Sequence, residues 1–396
     1  MILQMARRAL AEIDPRLLMK FAYTCGAKGI RSVELHKRRL KRGEYFPPFL
    51  FLSITSSCNL RCQGCWVDVE GPGQRLETSD INRVINQAKE HGNCFFGILG
   101  GEPFLHPGLF DILSAHPDCY FMLFTNGHFI SNEVAARLRR LGNASPLISI
   151  EGSESVSDDR RGGPNVYERT LAGLENCRRH RLITGAATSV CQTNIELVSE
   201  RWLRKLIAMG VHYAWYYTYR PVGPHPSPHL ALTPEQMLQV RRLIINLRKQ
   251  LPIGIVDAYW DDQGVALCPM VTGISHHIGP SGGIEPCPII QFAKESIYDD
   301  GSLYDVMTRS EFLKDFRKTV AGVTRGCVIL ERPDLVAEIV ERNGARDTTQ
   351  RQRAMQELHS FQSRGSQHSP GNEMPEEHWM YRFAKKHWYF GFGAYL

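Results

Sequence analysis

From Phe49 to Tyr219 the chain alternates short β-rich runs with amphipathic helical ones, and this order constrains the fold more than any other feature of its 396 residues. The strand-like runs are 49–54, 94–99, 120–125, 147–150, 185–190 and 213–219. Between them Ile81, Val84, Ile85 and Ala88 share one helical face, as do Val166, Thr170, Leu171 and Leu174, and again Trp202, Leu203, Leu206 and Ile207. Strands separated by helices in this way require right-handed crossovers and a mainly parallel sheet, either open and doubly wound or curled into a full or partial α/β barrel. A barrel would set its chemistry at the C-terminal ends of its strands.

Residues 1–45 read as a basic helical lead-in, densest in charge at His36-Lys37-Arg38-Arg39-Leu40-Lys41-Arg42. Thr233-Pro234-Glu235-Gln236 is a capping box with proline at the first helical position, which predicts a long helix to about Lys249 and closes a core domain at 46–250. From Ile253 the alternation stops, so 251–342 reads as a small α+β module. The polar stretch 343–377 reads as a loose linker. An aromatic segment, 378–396, follows and holds Trp379, Tyr381, Phe383, Trp388, Tyr389, Phe390, Phe392 and Tyr395. A net charge of +6 is too mild to indicate a nucleic-acid partner. No apolar run reaches the ~20 residues of a spanning helix, and no cleavable signal is evident, so the expected address is cytoplasmic.

Eleven cysteines in a chain too long to need disulfide staples direct attention to metal or redox chemistry. Cys58, Cys62 and Cys65 lie just after the first strand of the alternating region. Three converging thiolates suit a soft metal centre, whereas a closed zinc site needs a fourth Cys or His that the next twenty residues do not offer as histidine. A four-iron cluster on three thiolates would keep one iron open. A non-enzymatic iron-sulfur or zinc protein is the alternative of another class. Cys25, Cys94, Cys119, Cys177 and Cys191 occur singly in strand or helix patterns and read as core. Cys268, Cys287 and Cys327 form a second group, and His276 and His277 between the first two are either further ligands or, as loop histidines more often are, polar surface.

The spacing Cys-x3-Cys-x2-Cys followed by Trp66, then Gly100-Gly101-Glu102-Pro103, Thr125-Asn126-Gly127 and Ser149-Ile150-Glu151-Gly152 in that order, resembles the radical S-adenosylmethionine (SAM) enzymes over about Phe49 to Pro221. The resemblance implies a partial (β/α)6 barrel with a small C-terminal auxiliary module. It also implies a [4Fe-4S] cluster on Cys58, Cys62 and Cys65, whose open iron chelates SAM. Reductive cleavage of SAM then yields a 5'-deoxyadenosyl radical that takes a hydrogen atom from the substrate. By the same resemblance the backbone at Trp66 lies by the adenine, Gly100 and Gly101 admit the methionine moiety, and Glu102 meets its ammonium group. Ser149, Glu151 and Asn194 would serve the ribose and carboxylate, and Arg161 would pair with the carboxylate. Cys268, Cys287 and Cys327 resemble in part the SPASM or twitch extensions, which implies either a second iron-sulfur cluster or unligated remnants.

A reducing partner such as flavodoxin or ferredoxin follows from that chemistry. The aromatic run Tyr213 to Tyr219 offers one face to a substrate cavity. A membrane lipid is one expected substrate, since the basic run 37–42 and the aromatic end would suit peripheral contact with an anionic membrane surface. A peptide is the alternative, from the likeness of the second cysteine group to maturases. The terminal aromatics would otherwise close the barrel mouth as a lid.

Overall fold

Side chains alternate across a strand, and in this sheet the alternation sorts two different interiors. The computed structural model describes residues 1–257, 260–366 and 370–388. In β1 (Leu50–Thr55), Leu50, Leu52 and Ile54 face the surrounding helices, while Phe51 joins Phe49, Tyr120, Leu147, Ala187, Trp215 and Val256 on the opposite side. The same parity holds along β2 (Phe95–Gly100), β3 (Tyr120–Thr125), β4 (Ala144–Ser149), β5 (Gly185–Val190), β6 (Tyr213–Thr218) and β7 (Gly254–Asp257). These seven strands are parallel and adjacent in chain order.

The second interior is a lumen. Phe124 on β3 and Trp215 on β6 are separated by two strands, yet their ring centroids are 5.9 Å apart, which only a curled sheet allows. The expected parallel α/β partial barrel is therefore present, with one strand more than the six read from the pattern.

Three lead-in helices, α1 (Ile2–Glu12), α2 (Pro15–Phe21) and α3 (Gly29–Leu40), precede the barrel. A π-helical stretch, Ala22–Lys28, joins the last two. The crossovers are α4 (Thr78–Glu90), α5 (Leu109–Ala115), α6 (Asn132–Leu141), α7 (Glu154–Arg161) with α8 (Val166–Arg179), α9 (Glu200–Ala208) and α10 (Pro234–Gln250). The last begins at Thr233, whose side chain and that of Gln236 satisfy each other's backbone N–H groups as the capping box predicts.

Several expectations are corrected. The alternation does not stop at Ile253: β7 follows α10 and pairs with β6. Short strands β8 (His277–Ile278) and β9 (Ile284–Glu285), from the segment read as a small module, extend the same sheet on the β1 side. The described parts of the stretch 343–377 are not a loose linker but are tied into the fold. Residues 346–347 pair with 292–293, and Glu376 is buried in an ion cluster with Arg241, Arg248, Asp257 and Lys385.

The basic run is also partly spent inside the fold: His36 is buried, and Arg39 packs over Phe46 and Tyr304 and donates to the His91 carbonyl. The C-terminal helix Trp379–His387 and Trp388 pack at the N-terminal end of the strands, where Trp388 donates to the Cys25 carbonyl and Tyr381 accepts from Ile255 N–H. This is the end opposite the cysteine loop, so these residues are no lid over it. Tyr389, Phe390, Phe392 and Tyr395 lie outside the described residues. Among the described residues no helix is long and apolar enough to cross a membrane.

Candidate active site

The site starts at the end of β1, where the chain leaves the sheet into the loop carrying Cys58, Cys62 and Cys65. Two neighbouring segments fix that loop. Gly101 N–H donates to Thr55 O and Glu102 N–H to Ser57 O, each at 2.8 Å. A Cβ on Gly100 would stand 2.0 Å from Thr55 O, and one on Gly101 2.1 Å from Ser57 O. The close backbone approach that these glycines permit is therefore to the protein's own loop. On the other side Gln63 N–H donates to the Arg160 carbonyl at 2.7 Å, which docks α7 against the same loop.

The three thiols are electrostatic neighbours. Burial raises Cys58 to about 11 and Cys65 to about 12, and proximity to the other thiols adds to both. Arg161, buried at the end of α7, is pressed the other way. Burial acts against its charge, but Cys62, Glu151, Cys58 and Cys65 outweigh that and hold its pKa above the ordinary value. Among the described residues no three His, Cys, Asp or Glu side chains stand at metal-ligating spacing, so the thiols adjoin without forming a closed shell. The donor set nonetheless fits a soft metal cluster with an open position: three thiols, a buried cation beside them, and an Arg161 Nε that has no hydrogen-bond partner among the described residues.

Glu151 gathers the remaining polar groups. Its carboxylate lies 3.6 Å from both Arg160 and Arg161 and accepts from Ser189 N–H at 3.2 Å. Asn194 is fully buried, accepts from Cys191 N–H and donates to the carbonyls of Glu151 and Ser189. Glu102 is also fully buried, and its carboxylate accepts from Thr125 Oγ1, Asn126 N–H and Phe104 N–H. Burial raises its pKa against these bonds. Glu151, Arg161 and Asn194 are thus brought into one network next to the cysteines, whereas Glu102 joins the ends of β2 and β3. Ser149, half-buried, ends β4 just before Glu151.

Below the cysteine loop lies a chamber of about 300 Å³, roofed by Gly64 and Trp66 and walled by Phe51, Phe124, Trp215 and Tyr217. Cys287 and Arg220 lie on its wall. Cys268, Cys287 and Cys327 are mutual electrostatic neighbours, and Arg220 acts on the last two. Burial raises all three thiols.

Sequence reasoning missed one constellation. His277, read as surface, is buried together with Ser53 and Glu285. Ser53 Oγ is 2.7 Å from His277 Nε2, His277 Nδ1 is 2.7 Å from Glu285 Oε2, and Thr348 donates to Glu285 Oε1 at 2.6 Å. The His277 ring stands edge-on to Trp66 at 6.0 Å, so this chain props the roof of the chamber. His276 is buried too, with neither ring nitrogen hydrogen-bonded among the described residues. A polar residue inside a strand, Ser53 in Leu-Phe-Leu-Ser-Ile-Thr, was the available signal.

A parallel partial barrel with thiols clustered at a strand's C-terminal end is the architecture of a cluster-dependent enzyme class, and comparison with known proteins gives that class its name. Residues 52–196 match the Radical SAM superfamily, and this part of the chain is a radical SAM domain. The AdoMet-dependent heme synthase of Methanosarcina barkeri is 29% identical over 173 residues, covering 42% of this chain and 50% of that protein, so the chain spans half the length of this curated relative. The mycofactocin maturase MftC of Mycolicibacterium smegmatis is 25% identical over 317 residues, 73% of this chain and 77% of that protein. Among solved structures, SuiB of Streptococcus suis bound to S-adenosylmethionine superposes with a TM-score of 0.61 at 16% identity, covering 71% of this chain and 70% of that one, a likeness of fold.

Proposed function

We propose that the chain is a radical SAM enzyme that holds a [4Fe-4S] cluster on Cys58, Cys62 and Cys65, binds SAM beside it, and acts on a substrate seated in the aromatic chamber. The observation that carries this is the loop after β1, which sets three thiols beside the buried Arg161 of α7 and whose Gly64 and Trp66 roof that chamber. Bound there, the cluster and SAM would supply a 5'-deoxyadenosyl radical able to take a hydrogen atom from a substrate C–H bond.

The chain's own residues have separable tasks. Arg161 offsets the charge of the thiolates and offers Nε to the SAM carboxylate. Glu151 and Asn194 hold Arg161 and the ends of β4 and β5 in place. Gly100, Gly101 and Glu102 set the cysteine loop against the sheet and present the end of β2 to the methionine group, while Ser149 and the backbone at Trp66 border the nucleoside. Phe51, Phe124, Trp215 and Tyr217 exclude water from the reacting carbon. Cys268, Cys287 and Cys327 are the ligand set for a second cluster. A flavodoxin or ferredoxin would deliver the electron.

An apolar chamber suits a hydrocarbon-rich reacting segment, as in a membrane lipid. Peptide modification is the second reading, favoured by the likeness to a maturase along most of both chains. Anaerobic reconstitution tests the central claim. The wild type should bind at least one four-iron cluster and cleave SAM to 5'-deoxyadenosine or an adduct, and the triple change of Cys58, Cys62 and Cys65 to Ala should abolish both. A triple variant that still cleaves SAM at the native rate would overturn it.

A further inference from the structure

The end of the barrel remote from the cysteines holds a larger cavity, about 420 Å³, that the proposed chemistry does not use. Its floor is the lower lumen: Phe49, Phe95, Tyr120 and Trp215. Its walls are α1, through Met5 and Ala9, and the C-terminal helix, through Tyr381 and Ala384. Ile2, Ala6 and Phe383 both line the cavity and are exposed, so it opens to the surface between these two helices. Among the described residues no carboxylate lines it.

The surface around the opening is unusual in the same sense. Among the described residues, most of the large exposed hydrophobic side chains belong to the helices that close this end: Leu3 and Leu10 on α1, Met19 on α2, Tyr23 after it, and Trp379 and Phe383 on the C-terminal helix. Scattered single apolar residues need no explanation, but a concentration on one end of a molecule does. The same helices expose Arg7 and Arg382. An apolar patch with rings at its edge and cations beside it has the composition of a face that sits in a bilayer interface.

We infer that this end of the barrel docks on an anionic phospholipid bilayer and takes one acyl chain into the cavity, between α1 and the C-terminal helix. The cations select an anionic headgroup over a zwitterionic one, and the open apolar cavity receives the chain. This face differs from the basic run 37–42, part of which is committed to the fold interior, and the inference stands apart from the radical chemistry at the other end.

The test uses the full chain with vesicles of phosphatidylglycerol, some of it carrying a fluorescent cis-parinaroyl chain, against vesicles of phosphatidylcholine. Wild type should sediment with the first and not the second, and should raise the parinaroyl fluorescence. Replacing Leu3 and Leu10 together by Glu, both two-thirds exposed and hence tolerant, should weaken vesicle binding by roughly tenfold or more. Ala6→Trp, which blocks the opening, should abolish the fluorescence rise whether or not sedimentation persists. The inference fails if wild type stays in the supernatant, if the Glu pair sediments equally well, or if the fluorescence survives Ala6→Trp. It fails equally if no chain enters the wild-type cavity, the result expected were residues 389–396 its occupant.

Discussion

A single methyl group tests how the cysteine loop is held. On Gly101 the added carbon of alanine would press on Ser57 O at 2.1 Å and Ser56 O at 2.5 Å, both backbone atoms that cannot swing aside as a side chain would. The loop must therefore shift, at a cost of about 1–3 kcal/mol by analogy with overpacking in cores. Gly101→Ala should lower the iron bound per chain after reconstitution well before it unfolds the barrel, as iron counting beside a urea melt would show. Iron loading equal to wild type would mean that the loop is not set by this contact. The sequence announced these glycines and the carboxylate after them, but not what they touch. Glu102 spends its oxygens on the nearby Phe104 N–H and on Thr125 and Asn126, which reach it only once β2 and β3 are paired. His277 left only the faint trace of a polar Ser53 inside a strand, since its partners Ser53 and Glu285 come from a distant strand and a two-residue one.

Among the elements, those with long periodic patterns or a local cap were legible, and those made by pairing alone were not. The capping box at Thr233 and the six hydrophobic strands declare themselves because every residue of the signal lies within one segment. β7, β8 and β9 are four, two and two residues long, too short for alternation to register, and exist because β6, β1 and β8 in turn offer them hydrogen bonds. α2 shows how such packing reads out in pH. Asp14 caps it by accepting from Arg16 N–H at 2.9 Å and pairs with Arg139 at 2.7 Å. Burial would raise its pKa, but the bonds from Arg139 and Arg16 prevail and bring it to about 2. A carboxylate depressed on folding lends stability that is complete above its unfolded pKa of about 3.9 and lost as pH falls toward about 2. Asp14→Asn, which keeps the cap, should cost at most about 1 kcal/mol near neutrality and flatten the melting temperature's decline between those limits. An acid limb as steep as that of wild type would assign the linkage elsewhere.

At the scale of the whole molecule, chain far beyond the barrel returns to brace the loop that follows the cysteines. Gln350 donates to Ser56 Oγ at 2.9 Å and accepts from Gly73 N–H at 3.2 Å, while Arg351 N–H donates to Asp68 at 3.2 Å and its guanidinium pairs with Glu357. Thr348, three residues earlier than Arg351, completes the chain through Glu285 and His277 to Ser53. A stretch whose polarity suggested a linker is thus a strap, and its polar side chains are spent on Ser56, Gly73, Glu285 and Glu357, a use that composition does not distinguish from solvation. The strap touches the loop 67–74 and not the hydrophobic lumen, so its removal should be felt locally. Gln350→Ala deletes two hydrogen bonds and should weaken this region by about 1–2 kcal/mol. Hydrogen exchange should then quicken at 67–76 while the β3 and β4 amides keep their protection. Unchanged exchange at 67–76 would show that the loop holds its shape without the strap, leaving its bonds to Ile54 and Ser56 as its supports.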